Sequence, residues 1–277
     1  QRQMCIRDRL ILLCILFRVY NNITFMQYIP NGPQIPDELI QAHQDGHVVF
    51  FCGSGISIPS GLPNFCGLVK QIYKKLNTKK TPIEDKLNRR GEYDRVLESL
   101  EKRMTKEIVR KELIDILRPK HIKSKTHLSL LRLSESDDGI YRIVTTNFDR
   151  IFENVAEKNS ITINSYTSPL IPMPKREYWN GIVHLHGLVP TQGNDNSILK
   201  NLILTSSDFG TAYLIERWAS RFITELFHRY IVCFVGYSAN DVIIRYMLDA
   251  LAAENSLNIN ANPVYACLLY TSDAADE

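Results

Sequence analysis

The chain has 277 residues, enough for one large α/β domain or for one domain with an insertion. Hydrophobic residues make up 44% of it and charged residues 23%, which excludes a disordered tail, a collagen and a disulfide scaffold. The 33 basic and 30 acidic residues leave a net charge of only +3, too small to indicate nucleic-acid or anionic-membrane binding by charge alone.

The six cysteines form no C-x-x-C pair, so the sequence does not support a structural zinc site, and we expect no metal. Single cysteines scattered along a chain are typical of a reducing compartment, which predicts a cytoplasmic protein.

The two ends of the chain resemble each other at the level of DNA. The head, QRQMCIRD, and the tail from Cys267 back-translate into reverse complements, and both resemble the transposase adapter of sequencing libraries. We therefore expect residues 1–25 and 267–277 to be adapter or upstream sequence, with a natural start at Met26. The apolar run at 10–17 is far shorter than the roughly 20 residues that span a bilayer; a signal-peptide core is its alternative interpretation.

Helical and strand patterns follow in turn along the rest of the chain. A helix is predicted at 35–44, with Pro36 near its first turn, and a helical insertion with four apolar faces at about 65–134. Six apolar runs of strand length are predicted as strands: 48–52, 141–145, 182–185, 202–205, 231–235 and 263–267. Strands that alternate with helices predict an α/β fold with a doubly wound parallel sheet.

Polar motifs stand at the carboxyl ends of these predicted strands, where open α/β sheets bind ligands. Gly53 and Gly55 follow the first strand, and glycines there let backbone N–H groups approach a pyrophosphate. By themselves they also suit an ordinary strand-to-loop turn. The third glycine of the dinucleotide fingerprint is missing, as is an acid about 20 residues further on, so the dehydrogenase version of the fold is excluded.

Five motifs occur in a fixed order along the chain. They are G-S-G-I-S at 53–57, S-G-L-P-N-F at 60–65, T-T-N-F-D at 145–149, H-G at 186–187 and G-Y-S at 236–238. This order resembles the sirtuin superfamily, and in particular the sirtuin-like domains of bacterial anti-phage defence proteins. The resemblance covers roughly 48–238 and implies that 26–266 is a Rossmann-like, NAD-binding domain.

The resemblance also implies roles for individual residues. The NAD phosphates would be held by Gly53, Ser54, Gly55 and Ser57, the nicotinamide ribose would lie beside Asn147 and Asp149, and the adenosine half would contact Gly236 and Ser238. His186 would be the catalytic histidine.

The residue chemistry agrees with cleavage of a glycosidic bond. An amide such as Asn147 can hold water or ribose hydroxyls, and a histidine can accept a proton. His186 has two alternatives: it could be a core histidine, or His184, predicted on the same strand face, could act instead.

Several residues depart from the deacylating sirtuins. Asn64 stands where those enzymes have Asp, and Cys66 where they have Arg. The two cysteine pairs of their zinc module are missing, because the stretch 187–232 has no cysteine. The cysteines left after the ends are removed, Cys52, Cys66 and Cys233, cannot supply four thiolates, which makes peptide deacylation the weaker hypothesis.

Other polar and aromatic residues have structural interpretations. A helix is expected from about 241 to 251, with Ser238 as its N-cap and Asp241 in a capping box, although Asp241 could also face ribose. Core packing is expected for Tyr178, Trp179 and Trp218, with a place in the pocket wall as the alternative.

The sequence thus favours hydrolysis of NAD to nicotinamide and ADP-ribose, in bacterial anti-phage defence. The alternatives are a protein deacylase or ADP-ribosyltransferase, and a non-catalytic domain that binds NAD or ADP-ribose and regulates a partner. NAD is the expected ligand. A homo-oligomer, a C-terminal sensor domain or a partner ATPase are further expectations, whereas no membrane or direct nucleic-acid binding is expected.

Overall fold

The computed structural model describes residues 13–14, 24–28, 30, 34–118, 124–175, 179–191, 199–237 and 262–268. The predictions made for Tyr178, Ser238 and Asp241 lie outside these residues, as do those for the helix at 241–251 and for most of the two ends.

A seven-stranded sheet forms the centre of the molecule. Its strands are β1 (Leu13–Cys14), β4 (Val48–Cys52), β5 (Arg142–Thr145), β6 (Ser165–Thr167), β7 (Gly181–His184), β8 (Ile231–Val235) and β9 (Val264–Leu268). The spatial order is β1-β9-β8-β4-β5-β7-β6, and all neighbours pair in parallel except β1, which is antiparallel to β9. A separate two-stranded ladder joins β2 (Phe25–Met26) to β3 (Ile35–Pro36). The predicted α/β fold with a Rossmann-like parallel sheet is confirmed.

Helices connect and cover these strands. They are α1 (Asp37–Gln44), α2 (Phe65–Lys75), α3 (Pro82–Arg89), α4 (Tyr93–Met104), α5 (Lys106–Leu117), α6 (Lys125–Ser134), α7 (Ile151–Lys158), α8 (Ser206–Phe209) and α9 (Trp218–Arg229), with a π-helical turn at Gly210–Ile215. None of the helices in the described part of the chain is long and apolar enough to cross a membrane.

The helical insertion lies between β4 and β5. Helices α2 to α6 occupy it from Phe65 to Ser134, the predicted bounds. The prediction of four helices there is wrong, because the second one is divided into α3 and α4 at Gly91, which has a φ of 75°. A left-handed residue of this kind ends a helix at low cost only when it is glycine.

The sheet is buried on both faces, which explains its uninterrupted apolar strands. Along β4, Val49 and Phe51 pack into an apolar cluster with α9, whereas Phe50 and Cys52 pack into a second cluster with α1, α2 and the insertion. Successive side chains of a strand point to opposite faces, so every residue of β4 must be apolar.

The prediction of a strand at 202–205 is wrong. This segment is coil, although Leu202, Ile203 and Leu204 are buried. Its backbone groups are bonded mainly outside any ladder: the Leu202 carbonyl accepts from Arg110, and the Leu204 amide donates to Asp208. The burial comes from side-chain packing: Leu202 and Leu204 pack into the cluster that includes the insertion, and Ile203 packs into the cluster with α9.

Candidate functional site

A cleft opens at the carboxyl ends of β4, β5 and β7 and has a volume of about 120 Å³. It is lined by residues from all five motifs and from other segments: Ser54, Ser57, Leu62, Pro63, Phe65, Leu68, Leu117, Thr146, Asn147, Phe148, Asp149, His186, Ile203, Phe209 and Tyr237. The parallel register brings the motifs together, because β4 pairs with β5 and β5 pairs with β7. The lining combines polar side chains such as Ser57, Asn147 and Asp149 with apolar ones such as Leu62 and Phe65.

The motif glycines lie behind the cleft. The Gly55 amide donates to the Gly236 carbonyl at 2.8 Å, and the Gly53 amide donates to Val235 at 2.8 Å. A Cβ on Gly55 would stand 2.6 Å from the Gly236 oxygen, so no larger residue fits there. Gly236 itself has a φ of 74°. The glycines thus allow the loops after β4 and β8 to touch, and Ser54 is the residue of the first loop that reaches the cleft with Ser57.

The side chain of Asn147 is held in one orientation by the hydrogen bonds that its amide nitrogen donates. Nδ2 donates to the Gly53 carbonyl at 3.1 Å and to Ser57 Oγ at 3.2 Å, and the side chain is 9% exposed. Both amide hydrogens are therefore used within the protein. Among the described residues, none donates to its Oδ1, which leaves this oxygen as an acceptor at the cleft.

Asp149 closes the same polar network. Ser57 Oγ donates to Asp149 Oδ2 at 2.8 Å, and the Ile151 amide at the start of α7 donates to Oδ1 at 3.1 Å. Burial raises the pKa of this carboxyl, although the two hydrogen bonds oppose the rise. His127 of α6 approaches Ser57 Oγ from behind, with Nε2 at 3.4 Å, and burial lowers the pKa of His127 to about 4.

His186 lies in the cleft wall, just beyond the end of β7. Its Nε2 is 2.9 Å from the hydroxyl of Tyr213, and the ring of Phe209 meets it edge to face with centroids 5.1 Å apart. Burial lowers the pKa of His186 to about 3, so the ring is neutral at neutral pH.

His184 has a different environment. The strand ends at His184, so the prediction that both histidines share one strand face is wrong. His184 Nδ1 is 3.1 Å from the Asn147 carbonyl and Nε2 is 2.8 Å from Glu153 of α7. Burial alone would lower the pKa of His184, but the Glu153 carboxylate raises it overall. His184 is thus held in an ion pair and does not line the cleft.

The residues that depart from the deacylases do not line the cleft. Asn64 is the N-cap of α2, where its side chain accepts from the Gly67 amide at 2.8 Å, and Cys66 lies in the first turn of that helix. The expectation of core packing for the tryptophans agrees with the structure: Trp179 is 1% exposed, and Trp218 packs against the same apolar cluster.

Three residues at the site have no signal in the sequence: Glu153, His127 and Tyr213. Each lies within a helical segment and outside the five motifs. Within the described ranges, no group of three or more His, Cys, Asp or Glu side chains could hold a metal ion.

Comparison with known proteins agrees with this geometry. A family model described as SIR2-like domain matches residues 141–277, which include the motifs at 145–149, 186–187 and 236–238. The chain therefore contains a SIR2-like domain, and this is the family to which it is assigned. SIR2-like domains use NAD, so the cleft belongs to a domain with an NAD-related function.

A curated relative extends the similarity to most of the chain. It is the "Uncharacterized protein y4cA" of Sinorhizobium fredii (strain NBRC 101917 / NGR234), which is 35% identical over 241 residues. The alignment covers 85% of this chain and 20% of the relative, so the chain spans about one fifth of that protein's length.

Proposed function

We propose that this domain hydrolyses NAD to nicotinamide and ADP-ribose. The observation that carries the proposal is the placement of Asn147 and His186 in one cleft, although they are 39 positions apart in the chain. Asn147 presents an acceptor oxygen whose orientation is fixed, and His186 presents a neutral imidazole.

Hydrolysis breaks the bond between the nicotinamide nitrogen and the ribose carbon. A water oxygen bonds to that carbon, nicotinamide keeps the electron pair of the broken bond, and the water loses one proton. Asn147 Oδ1 would orient the water or a ribose hydroxyl by accepting a hydrogen bond, and His186 would accept the proton. The low pKa keeps His186 unprotonated before the reaction, although it also makes the ring a weaker base than a histidine whose pKa lies nearer the operating pH.

Features of the cleft suit NAD as the substrate. The unused acceptor of Asn147 can bind a hydroxyl, and the apolar wall that includes Leu62, Phe65 and Phe209 can cover a flat aromatic ring. Ser54 and Ser57 are the hydroxyl residues of the first loop that would contact the phosphates. Asp149 would bind the ribose side by its carboxyl group.

Hydrolysis is preferred to group transfer because of the residues that stand in the motifs. Asn64 caps a helix where deacylases have Asp, and the chain lacks the cysteines of their zinc module. Deacylation and ADP-ribosyl transfer are the alternative activities. A binding domain without catalysis is the third candidate, and Asn147 together with His186 argues against it.

The test is an analysis of the products formed from NAD by the full chain. We expect equal amounts of nicotinamide and ADP-ribose, separated by chromatography. Parallel reactions with an acylated peptide and with an acceptor protein test the alternatives. If nicotinamide forms only when one of these acceptors is present, the activity is transfer and not hydrolysis. If NAD binds but is not cleaved, the result supports the regulatory domain.

We also propose that the hydrolysis serves bacterial defence against phage, with a homo-oligomer, a sensor domain or an ATPase partner controlling it. The support is the order of the motifs and their resemblance to defence proteins. If this is correct, bacteria that express the whole protein should lose NAD after infection, and cells with His186→Ala should keep it.

A further inference from the structure

The segment from Leu199 to Tyr213 holds His186 by three separate contacts. The Ile203 amide donates to the His186 carbonyl at 2.9 Å, Phe209 packs edge to face against the imidazole, and the Tyr213 hydroxyl lies 2.9 Å from Nε2. Backbone and ring are both fixed from this one segment. No strand of the described residues leads directly into it, so we look to other parts of the molecule for what sets its position.

The helical insertion sets that position through a buried arginine. Arg110 of α5 is fully buried, and its Nη1 donates to the carbonyls of Leu199 and Leu202 at 2.7 Å each. The same guanidinium pairs with Asp208, and with Glu101 of α4 at 2.7 Å. A buried charge that is fully paired resists separation, because each broken contact leaves a desolvated charge.

Further contacts from the insertion reinforce the same segment. Lys106 of α5 reaches Asp208 at 3.0 Å, and Glu98 of α4 accepts from the amide and hydroxyl of Ser207 at 3.1 and 2.7 Å. Asp208 in turn accepts from the amide of Thr205, which caps α8. The chain then continues from α8 into Phe209 and the π-helical turn that carries Tyr213.

A hydroxyl at this position can affect the protonation and the orientation of the His186 ring. A neutral imidazole has one N–H and one acceptor nitrogen, and the partner of one nitrogen decides which of the two carries the proton. The hydrogen bond between Tyr213 and Nε2 fixes the rotation of the ring, and because a hydroxyl can also accept, it suits the tautomer that a base needs: Nε2–H donates to the hydroxyl and Nδ1 is left to accept a proton. A base must have both fixed before it accepts a proton from a particular direction.

We infer that Tyr213 is a positioning residue for His186 and that the insertion holds it there through Arg110, Lys106 and Asp208. The inference rests on the proposed function for its effect on rate, but its structural part can be measured without turnover. It gives the helical insertion a role in the site: movement of α4 and α5 would change the orientation of the histidine.

The first test compares Tyr213→Phe with Tyr166→Phe in the full chain. Tyr166 of β6 is a matched control, because it packs against the same apolar cluster and its hydroxyl bonds to the Asn180 carbonyl at 3.4 Å. Nitrogen NMR of labelled histidines reports the tautomer of His186. We expect Tyr213→Phe to shift the His186 ring nitrogens and to lower nicotinamide release by about 3- to 10-fold, the effect of one neutral hydrogen bond, with NAD affinity unchanged.

The second test concerns the insertion and uses a mild change. Lys106→Met removes one partner of Asp208, whereas Lys111→Met removes an exposed lysine of the same helix. We expect Lys106→Met to shift the His186 nitrogens in the same direction as Tyr213→Phe but by less, and Lys111→Met to leave them unchanged.

The outcomes separate this inference from the proposed function. His186 signals that do not move in Tyr213→Phe would overturn the positioning role even if the wild type cleaves NAD. Signals that move in a protein that cleaves no NAD would support the positioning role and remove the proposed function. Signals that move in Tyr213→Phe but not in Lys106→Met would remove the insertion from the inference.

Discussion

The amide of Asn147 is oriented before any ligand binds. Because both hydrogens of Nδ2 are donated, to Gly53 and Ser57, a rotation of the amide would cost two hydrogen bonds in a buried place. Groups that are oriented in advance lose no free energy to reorganisation during the reaction. Asn147 is therefore suited to hold a water or a hydroxyl in one direction.

The low pKa of His186 predicts the pH dependence of the reaction. A histidine at the ordinary value of 6.5 would be about 10% unprotonated at about pH 5.5, so a rate that needs the neutral ring would fall about tenfold from its plateau. His186, with a pKa of about 3, stays neutral there. We expect kcat/KM for nicotinamide release to fall less than about twofold between about pH 7.5 and 5.5.

The control for this pH profile is Tyr213→Phe, in which burial of the ring persists without the hydroxyl. It should keep the flat profile at a lower rate. A wild-type rate that instead falls tenfold, with a midpoint near 6.5, would mean that His186 is hydrated when NAD binds.

Residues that directly follow apolar strands could be predicted from the sequence. Asn147 and Asp149 follow β5, and His186 follows β7, so the parallel sheet brings them to one edge. Glu153 and Tyr213 could not be predicted, because they reach the site from helical segments whose packing is decided by distant residues.

At the scale of elements, the contact between the loops after β4 and β8 depends on glycine. A Cβ at position 55 would lie 2.6 Å from one backbone atom of Gly236 and 2.9 Å from another, and backbone cannot move aside as a flexible side chain can. We expect Gly55→Ala to lower the free energy of unfolding by about 1–3 kcal/mol and to weaken NAD binding.

The matched control is Gly210→Ala, where an added Cβ meets nothing within 4 Å and the backbone is helical, with φ −55° and ψ −42°. Gly210→Ala should have the unfolding free energy of the wild type in denaturant titration and the NAD affinity of the wild type in calorimetry. A Gly55→Ala protein with wild-type stability and NAD affinity would contradict the close packing of the two loops.

The ion pair between α7 and β7 predicts a window of pH dependence. The folded pKa of His184 is raised above its ordinary 6.5, so this stabilisation is complete below 6.5 and is lost as pH rises through the folded value. Burial opposes ionisation of Glu153, but His184 lowers its pKa to about 2, so that contribution is complete above the ordinary 4.5 and is lost as pH falls toward 2. Both contributions to stability are complete between pH 4.5 and pH 6.5.

The substitution Glu153→Gln should therefore lower the free energy of unfolding most between pH 4.5 and 6.5. We expect a loss of about 1.5–3 kcal/mol of unfolding free energy near about pH 5.5, shrinking at both lower and higher pH. Glu157→Gln changes an exposed carboxylate of the same helix and should show no such window in denaturant titrations. A cost for Glu153→Gln that does not change with pH would mean that the contact is not an ion pair.

Elements formed by local pattern were predictable, and those formed by distant contacts were not. The runs that became β4 and β8 have the predicted bounds, because a strand buried on both faces must be apolar throughout. The run at 202–205 is equally apolar but forms no strand, since side chains such as Arg110 and Asp208 take up its backbone groups. β6 has only Ser165, Tyr166 and Thr167, too short and exposed to be recognised.

At the scale of the whole molecule, the sheet and the insertion position different parts of the site. The parallel sheet brings Ser57, Asn147 and His186 to one edge, and the insertion holds the segment that packs against the histidine. The central claim is that this arrangement hydrolyses the glycosidic bond of NAD. That claim requires Asn147 and His186 to affect turnover more than binding, because no residue of the first or last motif is substituted in either variant.

The most direct measurement is nicotinamide release from NAD by the full chain, compared for the wild type, Asn147→Ala, His186→Ala and His228→Ala, with NAD binding measured by calorimetry on each. His228 is an exposed histidine on α9, outside the cleft. We expect both cleft variants to lose about 10²–10⁴-fold in rate while they still bind NAD, and His228→Ala to match the wild type. Wild-type rates in Asn147→Ala and His186→Ala would contradict the account.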